Sequence, residues 1–279
     1  MGHRPTSGDL LAWAEHKLSE QGIATAHLDA LVLLEDSTKL NRAQLLSETK
    51  MPISSSATNK YKRQVRLRAQ HIPLAFIRGK SEFYGREFKL NSCVLEPRSE
   101  SETLIEEFLR ITKLNPKLSS VVDIGTGSGA LIVTAKLEKP DYLAVAVDID
   151  SKCLKVARQN AKIHHLDISF YCGDLIRPLP SSIWETNPIV LANLPYVPND
   201  WQINRAAMHE PSIAIFGGPD GLDLYRHLFK QLSGLKQPPS WVLTESMPPQ
   251  HQALAQVAKK HGYKTYSTND FVQVFSCIN

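Results

Sequence analysis

The 279-residue sequence has no long apolar run and few cysteines. No hydrophobic stretch approaches the ~18 residues that a membrane-spanning helix needs, and the N-terminal sequence MGHRPTSGDL lacks the apolar core of a secretory signal. The four cysteines are far apart and form no CxxC pair, which excludes a disulfide framework and a thiolate zinc site. We therefore predict no membrane association, no bound metal and a location in a reducing cytoplasm.

The composition excludes two further classes of protein. Hydrophobic residues make up 42% and charged residues 22% of the chain, close to globular averages, so a mostly disordered or fibrous protein is excluded. The net charge of +4 allows an acidic partner but does not require nucleic acid. This length predicts one large domain, or one domain with a smaller attachment.

The N-terminal part of the sequence, residues 1–75, is predicted to form a helical domain. Apolar residues recur at helical spacing in residues 10–18 and 28–34. Residues 58–70 are a third predicted helix, which carries five Lys or Arg within nine positions. That basic cluster is interpreted either as a solvated face or as a surface that docks onto an acidic partner or RNA.

Residues 76–95 and 96–279 form two further parts of the chain. In residues 76–95, aromatic and alternating residues are interrupted by glycines, which predicts a β-hairpin linking two domains. Residues 96–279 form the third part, in which strands and helices alternate, so we predict an α/β fold with a parallel, helix-covered sheet. Any ligand should then lie beyond the carboxyl ends of the strands. Strands are predicted over residues 120–124, 142–147, 168–171, 188–192, 241–244, 264–267 and 272–276, and helices over residues 129–138, 152–164, 222–232 and 250–261.

A glycine-rich loop follows the first of these strands and predicts a nucleoside cofactor. Glycine lets the backbone turn sharply and approach a ligand closely. The acid Asp148, 23 residues after the first glycine, is placed to accept hydrogen bonds from ribose hydroxyls. Asp123 would repel a phosphate but suits an amine and a sulfonium, which favours S-adenosylmethionine over NAD, and Asp174 could accept from an adenine amine. The predicted cofactor-binding residues are Asp123, Gly125, Thr126, Gly127, Ser128, Gly129, Asp148, Ile149, Asp174, Leu175 and Asn193. The alternative is a glycine-rich turn that binds nothing.

The predicted strand at residues 188–192 ends in Asn193-Leu194-Pro195-Tyr196, the predicted catalytic segment. The side-chain carbonyl of Asn193 and the main-chain carbonyl of Leu194 are two acceptors that could hold one NH₂ group, with Pro195 restricting the backbone. Tyr196 offers a flat face for a planar amide or base. An amide nitrogen is a poor nucleophile, so acceptors on its protons together with in-line positioning would promote methyl transfer without a strong base.

Several motifs resemble those of the class I S-adenosylmethionine-dependent methyltransferases, and more narrowly the HemK/PrmC-type glutamine N5-methyltransferases of peptide chain release factors. Besides the two loops above, the similarity is carried by residues 27–34, 70–79 and 97–102, by Glu210-Pro211, and by FGGPDGL at residues 216–222. The last is the most specific, because generic methyltransferases lack it. The resemblance spans nearly the whole chain.

The resemblance implies a Rossmann-like sheet joined to a small N-terminal helical domain by a β-hairpin. It implies a monomer that methylates the glutamine of the Gly-Gly-Gln motif in release factors and turns S-adenosylmethionine into S-adenosylhomocysteine. The N-terminal helices would help to dock the release factor. The implied substrate-binding residues are Asn193, Pro195, Tyr196, Arg98 and Glu102. The chain departs from the family pattern at Leu194, Ser99, Ser101 and Ser246, and chemistry should survive at Leu194 if only its carbonyl takes part.

The sequence leaves three alternative interpretations open. Asn-Leu-Pro-Tyr also resembles a motif of adenine dimethylases, so a nucleic-acid adenine N6-methyltransferase is the second enzymatic interpretation. Such enzymes need base flipping and a basic channel, for which residues 60–68 are the only candidate. A degenerate scaffold that binds no cofactor is the non-enzymatic interpretation. A mitochondrial version of the enzyme is the alternative to a cytoplasmic one.

Overall fold

The computed structural model describes residues 4–278. Residues 1–3 belong to the N-terminal segment in which no secretory signal is predicted, and they lie outside the described residues. None of the helices within these residues is long and apolar enough to cross a membrane. The chain forms two compact units. One comprises residues 4–79 together with Asn204–His209, and the other comprises residues 80–203 and 210–278.

The first unit is helical, and all three predicted helices are present. Its helices are α1 (Ser7–Ser19), α2 (Ala26–Thr38), α3 (Arg42–Ser47), α4 (Ser55–Arg68) and α5 (Leu74–Arg78). Helix α1 begins at a capping box, in which the side chains of Thr6 and Asp9 bond each other's backbone N–H groups. The leucines that predicted α1 and α2, except the exposed Leu28, pack with Tyr61 and Val65 of α4 in one apolar core.

The basic cluster on α4 is divided between internal contacts and solvent. Arg63 and Arg66 are exposed. The other three basic side chains contact groups of the same unit, although one of them, Lys60, is also exposed. These contacts join Lys60 Nζ to the Asp36 carbonyl oxygen (2.8 Å), Lys62 Nζ to the Trp13 ring (5.7 Å) and Arg68 Nε to Asp29 Oδ2 (2.6 Å).

The β-hairpin is shorter than predicted. Its strands are β1 (Lys80–Phe83) and β2 (Arg86–Lys89), and their aromatic side chains Phe83 and Phe88 are buried. The prediction of extended structure from residue 76 was wrong at its start, because residues 76–78 belong to α5. That helix begins after Pro73 and ends at Gly79, whose φ of 71° is one that glycine adopts without strain. Residues 90–95 contain no strand.

The second unit is built on a seven-stranded sheet with the order β5-β4-β3-β6-β7-β9-β8. Its strands are β3 (Ser120–Ile124), β4 (Leu143–Asp148), β5 (Ser169–Cys172), β6 (Ile189–Ala192), β7 (Trp241–Glu245), β8 (Tyr263–Asn269) and β9 (Val272–Cys277). All seven were predicted. Neighbouring strands from β5 to β7 pair in parallel, and β9 is antiparallel to both of its neighbours.

Helices cover both faces of this sheet, as a parallel sheet requires. Alternate residues of each central strand enter opposite cores: Val121 packs with α6 to α8, whereas Val122 packs with α9 to α11. The helices are α6 (Glu102–Leu114), α7 (Ala130–Glu138), α8 (Ser151–Ile163), α9 (Ser181–Glu185), α10 (Asp223–Ser233) and α11 (His251–Lys260). The four predicted helices are present, and α6 and α9 were not predicted.

The strand order reverses beside β3. After β3 the chain forms β4 and β5 on one side, and then returns to form β6 on the other side. In the pairing of β3 with β6, Ile124 lies opposite Ala192, so both strands end at the same level. The loops after these two strands therefore meet at the switch point, which is where open α/β sheets bind their ligands.

Candidate active site

The glycine-rich loop turns sharply between β3 and α7. The backbone N–H groups of Gly125 and Thr126 both donate to the carbonyl oxygen of Val147, each over 2.9 Å. Gly129 has a φ of 81°, and a Cβ there would lie 3.1 Å from Ala157 of α8. Glycine is therefore needed at residue 129 both for the turn and for the close approach of two helices.

Asp148 at the end of β4 is tied to this loop. Its Oδ2 accepts the backbone N–H of Gly127 over 2.8 Å, and its Oδ1 accepts that of Asp150 over 2.9 Å. Burial raises the pKa of Asp148, while these two hydrogen bonds lower it. The next side chain, Ile149, is exposed. The carboxylate is thus held rigidly, with its remaining lone pairs able to accept ribose hydroxyls.

Asp123 carries an unpaired buried oxygen. Its Oδ2 accepts the hydroxyl of Thr126 over 2.6 Å, but its Oδ1 has no well-formed hydrogen bond from any residue between 4 and 278. Burial, with a smaller contribution from Asp148, raises the pKa of Asp123 to about 7. A buried carboxylate oxygen without a partner is costly. A cationic ligand group would relieve that cost, so this position fits the amine and sulfonium of S-adenosylmethionine.

The raised pKa of Asp123 predicts how stability depends on pH. Between about pH 4 and 7 the unfolded chain releases this proton whereas the folded protein retains it, so Asp123 destabilises the fold increasingly as pH rises. Replacing Asp123 with asparagine removes this pH-dependent destabilisation, because asparagine does not titrate. We expect the melting temperature of Asp123→Asn, minus that of the unsubstituted protein, to rise from pH 5 to pH 8 in calorimetry without cofactor. A difference that does not change with pH would contradict this assignment.

Asp174 follows β5, the strand next to β4. It forms an ion pair with Arg177 over 3.1 Å and accepts the side-chain amide of Gln231 over 3.3 Å. Its side chain remains 42% exposed, so it can still accept from a ligand. Leu175 is buried at a positive φ of 49°. No group of three metal-ligating side chains occurs in the described part of the chain.

The segment 193–196 lies against the glycine-rich loop. A Cβ on Gly125 would be 2.9 Å from Leu194 Cδ2, so the two loops are in direct contact. Leu194 is only 3% exposed, and its side chain packs inward. Its backbone N–H donates to the hydroxyl of Tyr225 over 3.2 Å. Leucine in place of the family's proline thus contributes packing between the loops.

Hydrogen bonds to Ser101 and Glu245 hold the side chains of Asn193 and Tyr196. The amide nitrogen of Asn193 donates to the Ser101 hydroxyl over 2.9 Å, which directs its carbonyl oxygen away from Ser101. The Tyr196 hydroxyl donates to Oε1 of Glu245 over 3.0 Å. The amide of Asn193 therefore presents an acceptor, as binding an NH₂ group requires.

The FGGPDGL stretch packs against the backbone of this segment. A Cβ on Gly217 would lie 2.2 Å from the Pro195 carbonyl oxygen, and one on Gly221 would lie 2.0 Å from that of Tyr196. Gln250 Nε2 also donates to the Tyr196 carbonyl oxygen over 2.8 Å. The two glycines therefore permit a close approach that holds the segment 193–196 in place.

We expect Gly221→Ala to lower kcat by at least about tenfold, because the added Cβ must displace the Tyr196 backbone and small misplacements of reacting groups are costly. Cofactor affinity, measured by calorimetry, should not change. The matched control is Gly262→Ala, which has a similar φ of 84° but no atom within 4 Å of the added Cβ. Equal kcat values for the two variants would contradict this role of Gly221.

Arg98 and Glu102, the other predicted substrate contacts, are engaged in packing. Arg98 forms an ion pair of 2.5 Å with the buried Glu210, and Glu102 Oε1 accepts the backbone N–H of Tyr84 over 2.7 Å. Neither side chain hydrogen-bonds to the segment 193–196 within residues 4–278. Their contact with a substrate stays a prediction.

Four residues behind the segment 193–196 were not predicted: Ser101, Tyr225, Glu245 and Gln250. The sequence signal for Glu245 was available, because it ends a predicted parallel strand in the same way as Asp148. The amphipathic spacing of residues 104–111 could also have revealed helix α6, which follows Ser101.

Comparisons with known proteins identify related methyltransferases. Residues 9–79 match the family model of the PrmC N-terminal domain, and residues 101–209 match that of the methyltransferase small domain. The release factor glutamine methyltransferase of Bacillus subtilis (strain 168) is 34% identical over 231 residues, which cover 80% of this chain and 79% of that protein. That of Bacillus anthracis is 35% identical over 237 residues, 82% of each chain.

A solved structure shows the same fold. The hMettl16 catalytic domain, in complex with the MAT2A 3'UTR hairpin 6, superposes with a TM-score of 0.54 at 12% identity, over 80% of this chain and 81% of that one. This likeness and the matched methyltransferase domain confirm the predicted class I methyltransferase fold. With the sequence identities above, the chain belongs to the release factor glutamine methyltransferase family.

Proposed function

We propose that this protein transfers a methyl group from S-adenosylmethionine to the side-chain amide nitrogen of the glutamine in the Gly-Gly-Gln motif of a release factor. The observation that carries the proposal is the Asn193 amide, whose nitrogen is bonded to Ser101 and whose carbonyl oxygen is therefore the group available to a substrate. Membership of the family supports the same reaction.

The roles of the site residues follow from their contacts. Asp123 has a buried oxygen available for a cation, and Asp148 and the glycine-rich loop are joined by hydrogen bonds. We assign the cofactor to these residues. When bound, it supplies a methyl group on a positively charged sulfur. Ile149 and Asp174 flank the end of β4 and would contact the adenosine part.

The segment 193–196 binds the glutamine amide that accepts the methyl group. The carbonyl oxygens of Asn193 and Leu194 accept the two N–H groups of the glutamine, which raises electron density on its nitrogen. Tyr196, fixed by Glu245, packs against the planar amide. The bound cofactor would supply the methyl group and leave as the neutral sulfide, and the glutamine nitrogen, held by the two carbonyl oxygens, would then release one proton to water. No base is needed before transfer, so the chain must supply mainly position.

Residues 1–75 are proposed to dock the release factor, with the exposed Arg63 and Arg66 of α4 available to an acidic surface. We also propose that the protein is a monomer and that it acts in the cytoplasm. This docking role predicts a higher kcat/KM for an intact release factor than for a short peptide that contains Gly-Gly-Gln.

The experiment supplies four acceptors with labelled S-adenosylmethionine: an intact release factor, the same protein with its Gly-Gly-Gln glutamine replaced by glutamate, a Gly-Gly-Gln peptide and total RNA. We expect rapid labelling of the first, slower labelling of the peptide, and none of the glutamate protein. Labelling of RNA instead would favour the adenine N6-methyltransferase interpretation, and failure to bind cofactor would favour a scaffold.

A further inference from the structure

The buried carboxylate of Glu245 lies beside both functional side chains of the segment 193–196, those of Asn193 and Tyr196. In the pairing of β6 with β7, Ala192 lies opposite Thr244, so Glu245 ends its strand beside Asn193. Glu245 is 1% exposed, and no lysine, arginine or histidine side chain forms an ion pair with it among residues 4–278. A buried, unpaired carboxylate costs free energy, so its presence needs an explanation.

The side chain of Glu245 contacts groups that can donate a hydrogen bond, namely the hydroxyls of Tyr196 and Ser101 and the amide of Asn193. Its Oε1 accepts the Tyr196 hydroxyl over 3.0 Å. The Ser101 hydroxyl lies close enough to lower the pKa of Glu245, although Oε2 receives no well-aligned hydrogen bond from residues 4–278. The Ser101 oxygen in turn accepts from the Asn193 amide nitrogen over 2.9 Å. Glu245, Ser101, Asn193 and Tyr196 thus form one cluster, which we term the orienting cluster.

The direction of hydrogen bonding in this cluster depends on Glu245. A serine hydroxyl both donates and accepts, and an asparagine amide presents NH₂ on one side and oxygen on the other. Without a third group, the hydrogen bond between Ser101 and Asn193 could therefore run in either direction, with the serine hydroxyl as acceptor of the amide NH₂ or as donor to the amide oxygen. An ionised carboxylate only accepts, so Ser101 donates towards Glu245 and its oxygen is left to accept from the Asn193 nitrogen.

We infer that Glu245 is a positioning residue that fixes the orientation of the Asn193 amide, so that its carbonyl oxygen and not its NH₂ group faces the substrate amide. This inference rests on the proposed function. It adds to that function the residue that determines which end of the Asn193 amide, oxygen or NH₂, faces the substrate. Without that determinant, a flipped Asn193 would present donors to the donors of the glutamine NH₂ group and repel it.

Protonation of Glu245 would remove this control, because a carboxylic acid can itself donate to Ser101. Burial raises the pKa of Glu245, as does the carboxylate of Glu100, whereas Ser101, Tyr196 and Asn193 lower it. The Tyr225 hydroxyl bonds the main-chain oxygen of Glu245, and that tyrosine stays neutral because burial raises its own pKa. We expect kcat to fall as pH drops through the raised pKa of Glu245.

The kinetic test compares Glu245→Gln with the unsubstituted protein. Glutamine has nearly the same shape but carries a donor and an acceptor, so it no longer imposes one direction. We expect kcat to fall about tenfold and to lose its acid limb, with unchanged cofactor affinity. The matched control is Glu107→Gln, another buried carboxylate of the same unit, bonded to Arg110, which should keep the full pH profile.

A second measurement needs no substrate. The side-chain amide resonance of Asn193 is assigned by its loss in Asn193→Ala, and is then followed by ¹⁵N NMR during a pH titration. It should titrate with Glu245 in the unsubstituted protein and in Glu107→Gln, but not in Glu245→Gln. An unaltered titration in Glu245→Gln would overturn the inference even if release factors are methylated. Conversely, a protein inactive on release factors but showing the expected titration would refute only the proposed function.

Discussion

Replacing Asn193 with alanine is expected to lower kcat about 10²- to 10³-fold, the cost typical of removing one preorganised polar group that contacts the reacting atoms. The variant loses the acceptor that holds the glutamine NH₂ group, while the glycine-rich loop, Asp123 and Asp148 keep their contacts. Its affinity for S-adenosylhomocysteine in calorimetry should therefore be nearly unchanged. The backbone of the segment should persist, because Leu194 is buried and bonded to Tyr225.

A matched control for this variant is Asn199→Ala. Asn199 belongs to the same loop, is exposed, and bonds Gly218 through its backbone N–H, which alanine retains. It should keep full kcat. If Asn193→Ala instead loses cofactor binding and retains turnover, Asn193 is a cofactor residue and the proposed chemistry is wrong.

A second large effect is expected on the affinity for the cofactor product S-adenosylhomocysteine. Asp148→Ala removes a carboxylate that accepts two backbone N–H groups, from Gly127 and Asp150. Hydrogen bonds to a charged group contribute about 1.5–3 kcal/mol each, and the ribose would lose its acceptor as well. We expect the Kd for S-adenosylhomocysteine in calorimetry to rise about 100-fold, with kcat at saturating cofactor reduced far less.

Two variants sharpen this second experiment. Asp148→Asn keeps one acceptor oxygen and should weaken binding by an intermediate amount. Asp141→Ala removes an exposed carboxylate from the loop before β4 and should leave the Kd unchanged. Unaltered cofactor binding in Asp148→Ala would show that the acid at the end of β4 serves only the loop.

Much of the fold and the location of the site follow from local patterns in the sequence. Residues 143–147 are apolar throughout and residues 120–124 are buried throughout, because both faces of a parallel sheet are covered by helices. The glycine-rich loop and Asn-Leu-Pro-Tyr each follow such a strand. The rule that ligands bind beyond the carboxyl ends of strands then predicts that these loops serve one site. Their contact through Gly125 and Leu194 agrees with that prediction.

What could not be predicted depends on contacts between distant parts of the chain. Ser101 and Asn193 are separated by 92 residues, and the direction of their hydrogen bond depends on a third residue, Glu245. The FGGPDGL motif was recognised, but only the distance of Gly221 from the Tyr196 carbonyl shows why glycine is needed. The hairpin was placed too early, since the aromatic residue Phe76 suits either structure and Gly79 ends a helix there.

The most direct test of the proposed methyl transfer is tandem mass spectrometry of an intact release factor after incubation with this protein and methyl-labelled S-adenosylmethionine. We expect one labelled methyl group on the side chain of the Gly-Gly-Gln glutamine, absent when Asn193→Ala is used. A label on any other residue, or recovered only from RNA added to the same reaction, would contradict this expectation.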